Sequence, residues 1–316
     1  MPLAISLSKD GLEYTTLNLV HGEITPMRYG GNYKSYGPQY PRGIQEGNGV
    51  PADGDLWVSY SVNKEDMWIS RIPVPVEISA SAHADDDFSK NKSIAELTDW
   101  NIYSPVWAPV SLEDQWLKLQ DKDPFDYAKV ERKIPASKEL KVSFDLKAGQ
   151  NNKGTLQIEF LDENGIACSR MELTDDGIFR LKGGSRFANM MKYEAGKIYH
   201  VEAVLSTVDR NIQVYVDGKR VGLRMFYAPV AAVERIVFRT GVPRTFPTVD
   251  TPADQTYDLP NAGAQDTLVE YGIANVKTSS TDKDASSAFL KYADFSHYAD
   301  YFNGMEDENI VQAIPN

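Results

Sequence analysis

The stretch KELKVSFDLKA, residues 138–148, decides the fold. Leu140, Val142, Phe144 and Leu146 fall on one side of an extended chain, and Lys141, Ser143, Asp145 and Lys147 fall on the other. A period of two with one apolar face specifies a half-buried antiparallel strand. The same alternation runs through GTLQIEF (154–160) at Leu156, Ile158 and Phe160. It returns in IYHVEAVLS (198–206) at Tyr199, Val201, Ala203 and Leu205, and in NIQVYVDGKRV (211–221) at Ile212, Val214 and Val216. Between such runs stand the turn signals Asp162-Glu163-Asn164-Gly165, Asp175-Asp176-Gly177 and Asp217-Gly218, flanking the shorter segments ACSRMEL and IFRLK. Further strands are expected at 235–239 and 269–277. Short strands joined by Asn-Gly and Asp-Gly turns build a meander packed on a second sheet. No helix-bearing crossover interrupts them, as a parallel sheet would require. Residues 139–278 therefore read as an antiparallel β-sandwich within an all-β chain.

Working outward, residues 1–76 hold strand-like runs separated by Gly and Pro. LAISLS (3–8) meets the turn Lys9-Asp10-Gly11, and EYTTLNL (13–19) follows. The Gly-, Tyr- and Pro-rich stretch 29–49 reads as a long ordered loop. LWVSYSV (56–62) and DMWISRI (66–72) read as a hairpin around Asn63-Lys64-Glu65, closed by Pro73-Val74-Pro75-Val76. Residues 77–137 are mixed: Asp85-Asp86-Asp87 sits in a polar loop, 99–107 is aromatic-rich, and 111–119 fits a helical turn or a strand. In residues 285–314, Phe289, Tyr292, Phe295, Tyr298, Phe302 and Met305 recur at helical spacing, which predicts a short helical tail whose stripe packs on the body. The expected organisation is thus a segment over 1–76, a sandwich over 77–283 and a C-terminal tail over 284–316.

The chain has 316 residues, 42% hydrophobic and 25% charged, a globular balance. A formal net charge of -12 argues against nucleic acid and against an anionic membrane surface as partners. It leaves room for a local basic pocket that takes an acidic sugar. Cys168 is the single cysteine, so an intrachain disulfide and thiolate metal clusters are excluded. The opening MPLAISLSKD lacks the pattern of a signal peptide, and no run approaches the ~20 apolar residues of a membrane span.

Ser8-Lys9-Asp10-Gly11 with Tyr14 resembles the turn of BNR-type, sialidase-like β-propeller blades. The run 55–73 resembles the closing blade of BNR-repeat proteins from polysaccharide-degrading Bacteroidota. The run from Tyr199 to Lys219, with its Val-Tyr-Val-Asp-Gly-Lys ending, is similar to laminin-G or concanavalin-like lectin modules. A propeller needs several four-stranded blades, and residues 1–76 supply one or two at most. The resemblance therefore implies the C-terminal portion of a polysaccharide lyase or glycoside hydrolase acting on an anionic polysaccharide, with missing blades or a parent domain as partner. It implies a periplasmic or secreted location. A non-catalytic glycan-binding module and a structural accessory sandwich stay open beside it.

Tyr33, Lys34, Tyr36, Tyr40 and Arg42 form the candidate site of the first segment. Tyrosines stack on sugar faces, a Tyr hydroxyl serves as acid or base once a cation lowers its pKa, and Arg grips a carboxylate bidentately. Propeller lyases use Tyr, His and Arg to abstract a C5 proton, so the resemblance makes Tyr40 and Arg42 catalytic candidates. Tyr33, Lys34, Tyr36 and His21 are then the sugar-binding candidates. An inter-blade or interdomain contact is the alternative reading of these residues. His83, His200 and His297 show no metal-ligand spacing, and alternation puts His200 on the outer face of its strand. No cofactor is called for. Asp85, Asp86 and Asp87, and separately Asp250, Asp254 and Asp258, are carboxylate groups that could ligate a structural calcium ion, or simply line solvated loops. Trp57 and Trp68, on adjacent hairpin strands, could offer a sugar platform or a cross-strand aromatic contact.

Overall fold

The computed structural model describes residues 2–23, 25–44, 54–77, 79–241 and 256–281. The expected helical tail over 284–316, together with Asp250, Asp254 and His297, lies outside the described residues. The chain divides into two compact units, one of Met1–Ile78 with Thr245–Ala264 and one of Ser79–Arg244 with Gln265–Asn316.

In the first unit, β1 (Leu3–Ser8) and β2 (Tyr14–His21) form a two-stranded antiparallel ribbon. Asp10 shapes its turn: one carboxylate oxygen accepts from the Leu12 and Glu13 amides at 2.8 and 2.9 Å. Next, β3 (Pro38–Ile44), β4 (Leu56–Val62) and β5 (Asp66–Ile72) make a three-stranded sheet in that order. The β4–β5 hairpin was expected; β3 was not, since 29–49 read as loop. Pro38 and Pro41 hid this strand. An edge strand tolerates them, and the register with β4 slips between Gln39 and Arg42. Trp57 and Trp68 do not share a platform. Trp57 stands opposite Arg71 and Trp68 opposite Tyr60, which puts the two rings on opposite faces of the sheet. The described residues of this unit's second segment are tied in by the Gly30 amide donating to Asp258 Oδ1 at 2.8 Å. A side chain at Gly30 would meet the Tyr257 amide nitrogen at 2.7 Å, so only glycine fits there.

The second unit is the sandwich. It comprises β6 (Asp85–Asp86), a single 3-10 turn (Ile94–Glu96), β7 (Trp100–Tyr103), β8 (Val110–Glu113), β9 (Trp116–Asp121), β10 (Lys129–Ser137) and β11 (Glu139–Ala148). There follow β12 (Leu156–Leu161), β13 (Ala167–Leu173), β14 (Ile178–Gly183), β15 (Arg186–Lys192), β16 (Ile198–Ser206), β17 (Asn211–Val216), β18 (Lys219–Met225), β19 (Val233–Thr240) and β20 (Val269–Ser280). A seven-stranded sheet runs β15-β14-β13-β12-β19-β10-β7. An eight-stranded sheet runs β18-β17-β16-β11-β20-β9-β8, with β6 added against β20. Every pairing in both is antiparallel. The all-β antiparallel sandwich read from the sequence is the observed fold.

The predicted core residues of β11, β16 and β17 are buried, and so are Leu156, Ile158 and Phe160 of β12. Phe144 of β11 meets Phe238 of β19 edge to face, with ring centroids 5.0 Å apart, and so links the two layers. Asp217 and Gly218 both adopt the left-handed conformation that a two-residue hairpin turn demands. Asp85, Asp86 and Asp87 are not a shared cation cage. Asp86 accepts from Arg132 Nε at 2.7 Å and from the Trp100 indole at 3.0 Å. Asp85 pairs with Lys277 at 3.0 Å, and Asp87 caps the Ser89 amide at 2.9 Å. Phe144→Ala should lower the unfolding free energy by about 3–5 kcal/mol in a denaturant titration, with the m-value unchanged.

Candidate functional site

Alternation on β12 led to the expectation of one wet face, yet every residue of β12, and of its neighbour β13, is buried. Directly opposed residues of antiparallel strands share a face. Register therefore places Gln157 and Glu159 (β12), Arg170 and Glu172 (β13), Arg180 (β14), Arg239 (β19), Lys129 and Glu131 (β10) on the side of the seven-stranded sheet away from the core. Lys133, Arg235 and Lys182 extend the set. Among the strand residues of this face, Lys129, Lys133, Arg170, Arg180, Lys182, Arg235 and Arg239 outnumber Glu131, Glu159 and Glu172. A chain with a large negative net charge thus concentrates positive charge on one sheet face.

Charges out of water must be paired. Glu159 receives Arg170 through Nε at 2.8 Å and Nη2 at 2.5 Å, with Arg239 Nη2 at 3.9 Å. Burial alone would raise the Glu159 pKa. The Arg170 and Arg239 guanidiniums outweigh it and hold the carboxyl below its usual range. Glu172 takes the Gln157 amide on one oxygen and the Arg180 guanidinium on the other. Asn101 donates to Glu131 at 2.9 Å. Aromatic rings cover several of the cations: Lys182 lies 4.5 Å from the Tyr227 ring, Arg239 5.3 Å from Tyr127 and Arg180 4.2 Å from Phe187. Tyr227 belongs to a small apolar cluster with Leu161, Ala167, Ala228 and Val237 on the same face.

The network reaches solvent at Arg235, beside buried Glu131, and most openly at Arg180, whose side chain is 35% exposed while its partner Glu172 is 6% exposed. Around it, β15 presents half-buried Phe187 and exposed Asn189, the residue paired with Arg180. Arg180 Nε and Gln157 Oε1 are buried and meet no hydrogen-bond partner among the described residues. A cation held by Glu172, with an aromatic ring beneath it and one edge toward solvent, can receive a sugar bearing a carboxylate.

The residues singled out in the first unit gather in part. Lys34 Nζ pairs with Glu65 at 2.6 Å and donates to the Tyr29 carbonyl at 2.8 Å. Burial, and then the Glu65 charge, raise the Tyr36 phenol, the reverse of the activation considered for a tyrosine acid or base. Tyr33 and Tyr40 are exposed and both adopt left-handed backbone conformations. Both attend Lys64, which donates to the Tyr33 carbonyl and lies 5.7 Å from the Tyr40 ring. Arg42 is exposed on β3 opposite Ser59. His21 stands apart, buried with Nδ1 3.0 Å from the Tyr60 hydroxyl and its ring edge-on to Trp68 at 5.0 Å. His200 is on the surface as alternation required, with Nδ1 2.8 Å from Asp145. Among the described residues no group of three or more His, Cys, Asp or Glu side chains is arranged to hold a metal ion. Sequence reasoning missed the charged face of the seven-stranded sheet. Its only trace was a run of buried-strand length carrying Glu or Arg at alternate positions, which reads equally as a solvated face.

Residues 100–255, just under half of the chain, match the family model described as Sialidase-like, CBM domain. That range spans every strand of the charged face, β7 to β19. The sandwich is thus similar to the sialidase-like carbohydrate-binding modules that this family model describes. A solved structure described as a sialidase is 90% identical over 98% of this chain, with a TM-score of 0.87. This chain spans 28% of that sialidase. A structure described with endo-acting O-glycanases of the human gut microbiota that initiate mucin breakdown is 12% identical. It covers 62% of this chain and 98% of its own, at a TM-score of 0.45. No curated protein matches the chain.

Arg170→Ala should destabilise the sandwich by about 3–5 kcal/mol, because Glu159 is left charged, buried and short of its main partner. Arg170→Met combined with Glu159→Met should recover only part of that loss, because buried Arg239 then loses the Glu159 carboxylate. The stabilising share of Glu159 is complete above about pH 4.5, its ordinary value, and fades as pH falls through the lowered folded value. Glu159→Gln should therefore flatten the acid side of a stability-versus-pH profile measured by denaturant midpoint.

Proposed function

We propose that this chain is the glycan-recognition portion of a sialidase-type glycoside hydrolase, and that its sandwich holds an anionic sugar at the rim of the charged sheet face. Arg180 carries the reading: it reaches solvent while backed by buried Glu172 and lying against Phe187. A sialic acid or uronic acid carboxylate would take the guanidinium edge, and the sugar ring would lie on Phe187. The likeness to a sialidase supports a carboxylate-bearing sugar as the ligand. The same likeness supports a secreted or periplasmic setting, where such glycans are met. No helix among the described residues is long and apolar enough to cross a membrane.

A second reading gives the first unit a share of the chemistry. Tyr40 and Arg42 lie exposed on β3, with Lys64 beside the Tyr40 ring. In the complete enzyme they would face the substrate, with Tyr33, Lys34 and Tyr36 as sugar contacts.

Affinity gels and calorimetry with sialylated, uronic and neutral oligosaccharides test the proposal. Anionic glycans should bind in preference to neutral ones, and Arg180→Ala should weaken binding at least about tenfold, the loss of one charged hydrogen bond. Equal retention of neutral and anionic glycans, or an unaffected Arg180→Ala variant, would remove the charged rim from the account. Release of free acidic sugar or unsaturated product by the chain, abolished in Tyr40→Phe or Arg42→Ala, would move the function to the first unit.

A further inference from the structure

The eight-stranded sheet has its own outer face, on the side away from the core. Register places His200 of β16, Asp145 and Lys147 of β11, Gly272 of β20 and Lys118 of β9 there. Trp116, two residues before Lys118, shares that face, and its indole lies against the bare backbone of Gly272. A Cβ at position 272 would come within 2.9 Å of Trp116 Cε3, so glycine is what lets the ring settle on a central strand. Glycine weakens a strand interior and marks a place where something approaches closely.

Beside the ring, β20 bulges. The steps from Ala274 to Lys277 stand opposite the shorter run from Asp145 to Ser143, and Asn275 in the bulge takes a left-handed backbone. Its exposed side chain donates to Asp145 Oδ2 at 2.7 Å, while His200 Nδ1 lies 2.8 Å from Asp145 Oδ1. The carboxylate is held on both oxygens and keeps a lone pair on each. A proton on Nδ1 leaves His200 Nε2 as an acceptor, and Asn275 keeps its Oδ1 for a hydroxyl. Asp145 stands diagonal to Gly272 across the β11–β20 pair, about 7–8 Å from the seat of the indole, a span that one pyranose with its hydroxyls fills. Lysines and carboxylates pair off along this face, Lys141 with Glu202 at 2.6 Å and Lys118 with Glu113 at 2.7 Å. It therefore lacks the surplus of positive charge that marks the other sheet.

We propose that this face is a second glycan site, for an uncharged pyranose. Trp116 receives the C–H face of the ring, and Asp145, Asn275 and His200 receive its hydroxyls. Gly272 and Asn275 lie beyond residues 100–255, so a strand outside the matched region completes the site. Asp145 repels a carboxylate-bearing sugar, which goes instead to the Arg180 rim on the other sheet. One sandwich thus holds the acidic and the neutral residues of a mixed glycan at two places.

Titration calorimetry with lactose, cellobiose and mannobiose tests the site. At least one should bind, more weakly than anionic glycans bind the rim, because the face is shallow and offers a single ring. Trp116→Ala and Asp145→Ala should each weaken that binding about tenfold or more, and Trp116→Phe should keep most of it. Arg180→Ala should leave it unchanged, just as Trp116→Ala should leave the binding of a uronic monosaccharide unchanged. Absence of binding by all three disaccharides overturns the proposal. So does neutral binding that survives both Trp116→Ala and Asp145→Ala, or that disappears with Arg180→Ala. Should Trp116→Ala unfold the sandwich, His200→Ala decides in its place, at a side chain that is 53% exposed; unchanged binding there overturns the proposal. The probes carry no charge, so their failure leaves the rim standing, and an unaffected anionic binding by Arg180→Ala would remove the rim and leave this site.

Discussion

The apolar seam between the two sheets of the sandwich is the constraint from which the rest follows. Leu140, Val142, Phe144 and Leu146 of β11 are at most 2% exposed, and they face the residues of β12 and β19 across one interior. Burying side chains of this size yields roughly 1.5–3 kcal/mol each. Because the side-chain period is two, that burial also fixes where every intervening residue points. A one-residue slip of β12 would drive Gln157 and Glu159 into the seam, so the apolar contact sets the register of the charged face as well.

The charged face turns this geometry into chemistry. Lysines and arginines drawn together on a sheet repel unless carboxylates and rings separate them, and Glu159, Glu172, Tyr127, Tyr227 and Phe187 do so. Most of the set is spent on internal pairing, which holds the side chains in fixed positions. Arg180 keeps one edge toward solvent while Glu172 fixes the other. A guanidinium already held in place loses little entropy when it meets a carboxylate, which favours recognition over a flexible surface lysine. The Arg132–Asp86 pair plays another part: Arg132 is 3% exposed, and it ties β10 of one sheet to β6 of the other beside Trp100.

The first unit shows the opposite distribution. Its three-stranded sheet has a packed interior at Tyr60, Val62 and His21, and Glu65 gathers the Arg28 and Tyr29 amides and the Lys34 ammonium into one corner. Its ribbon keeps leucines in water. Within one polypeptide, the sandwich buries its alternating apolar residues in one shared seam, whereas the ribbon leaves Leu17 and Leu19 exposed.

Local chemistry determined much of this protein by itself. Alternation in KELKVSFDLKA and its counterparts specified the strands, Asp-Gly and Asn-Gly the turns, and the absence of crossovers the antiparallel layering, because each is a property of a few neighbouring residues. The basic face was legible only as an allowance, since net charge does not say which charges become neighbours. Tertiary structure alone decided that β20 lies beside β11 across more than a hundred residues, that Gln157 and Glu159 are buried like their apolar neighbours, and that Asp86 clamps an arginine. It also decided that Trp57 and Trp68 look away from each other, through a register that neither strand encodes alone. In each case the deciding partner is distant in sequence, and a carboxylate or amide carries no mark of whether water or a guanidinium will face it.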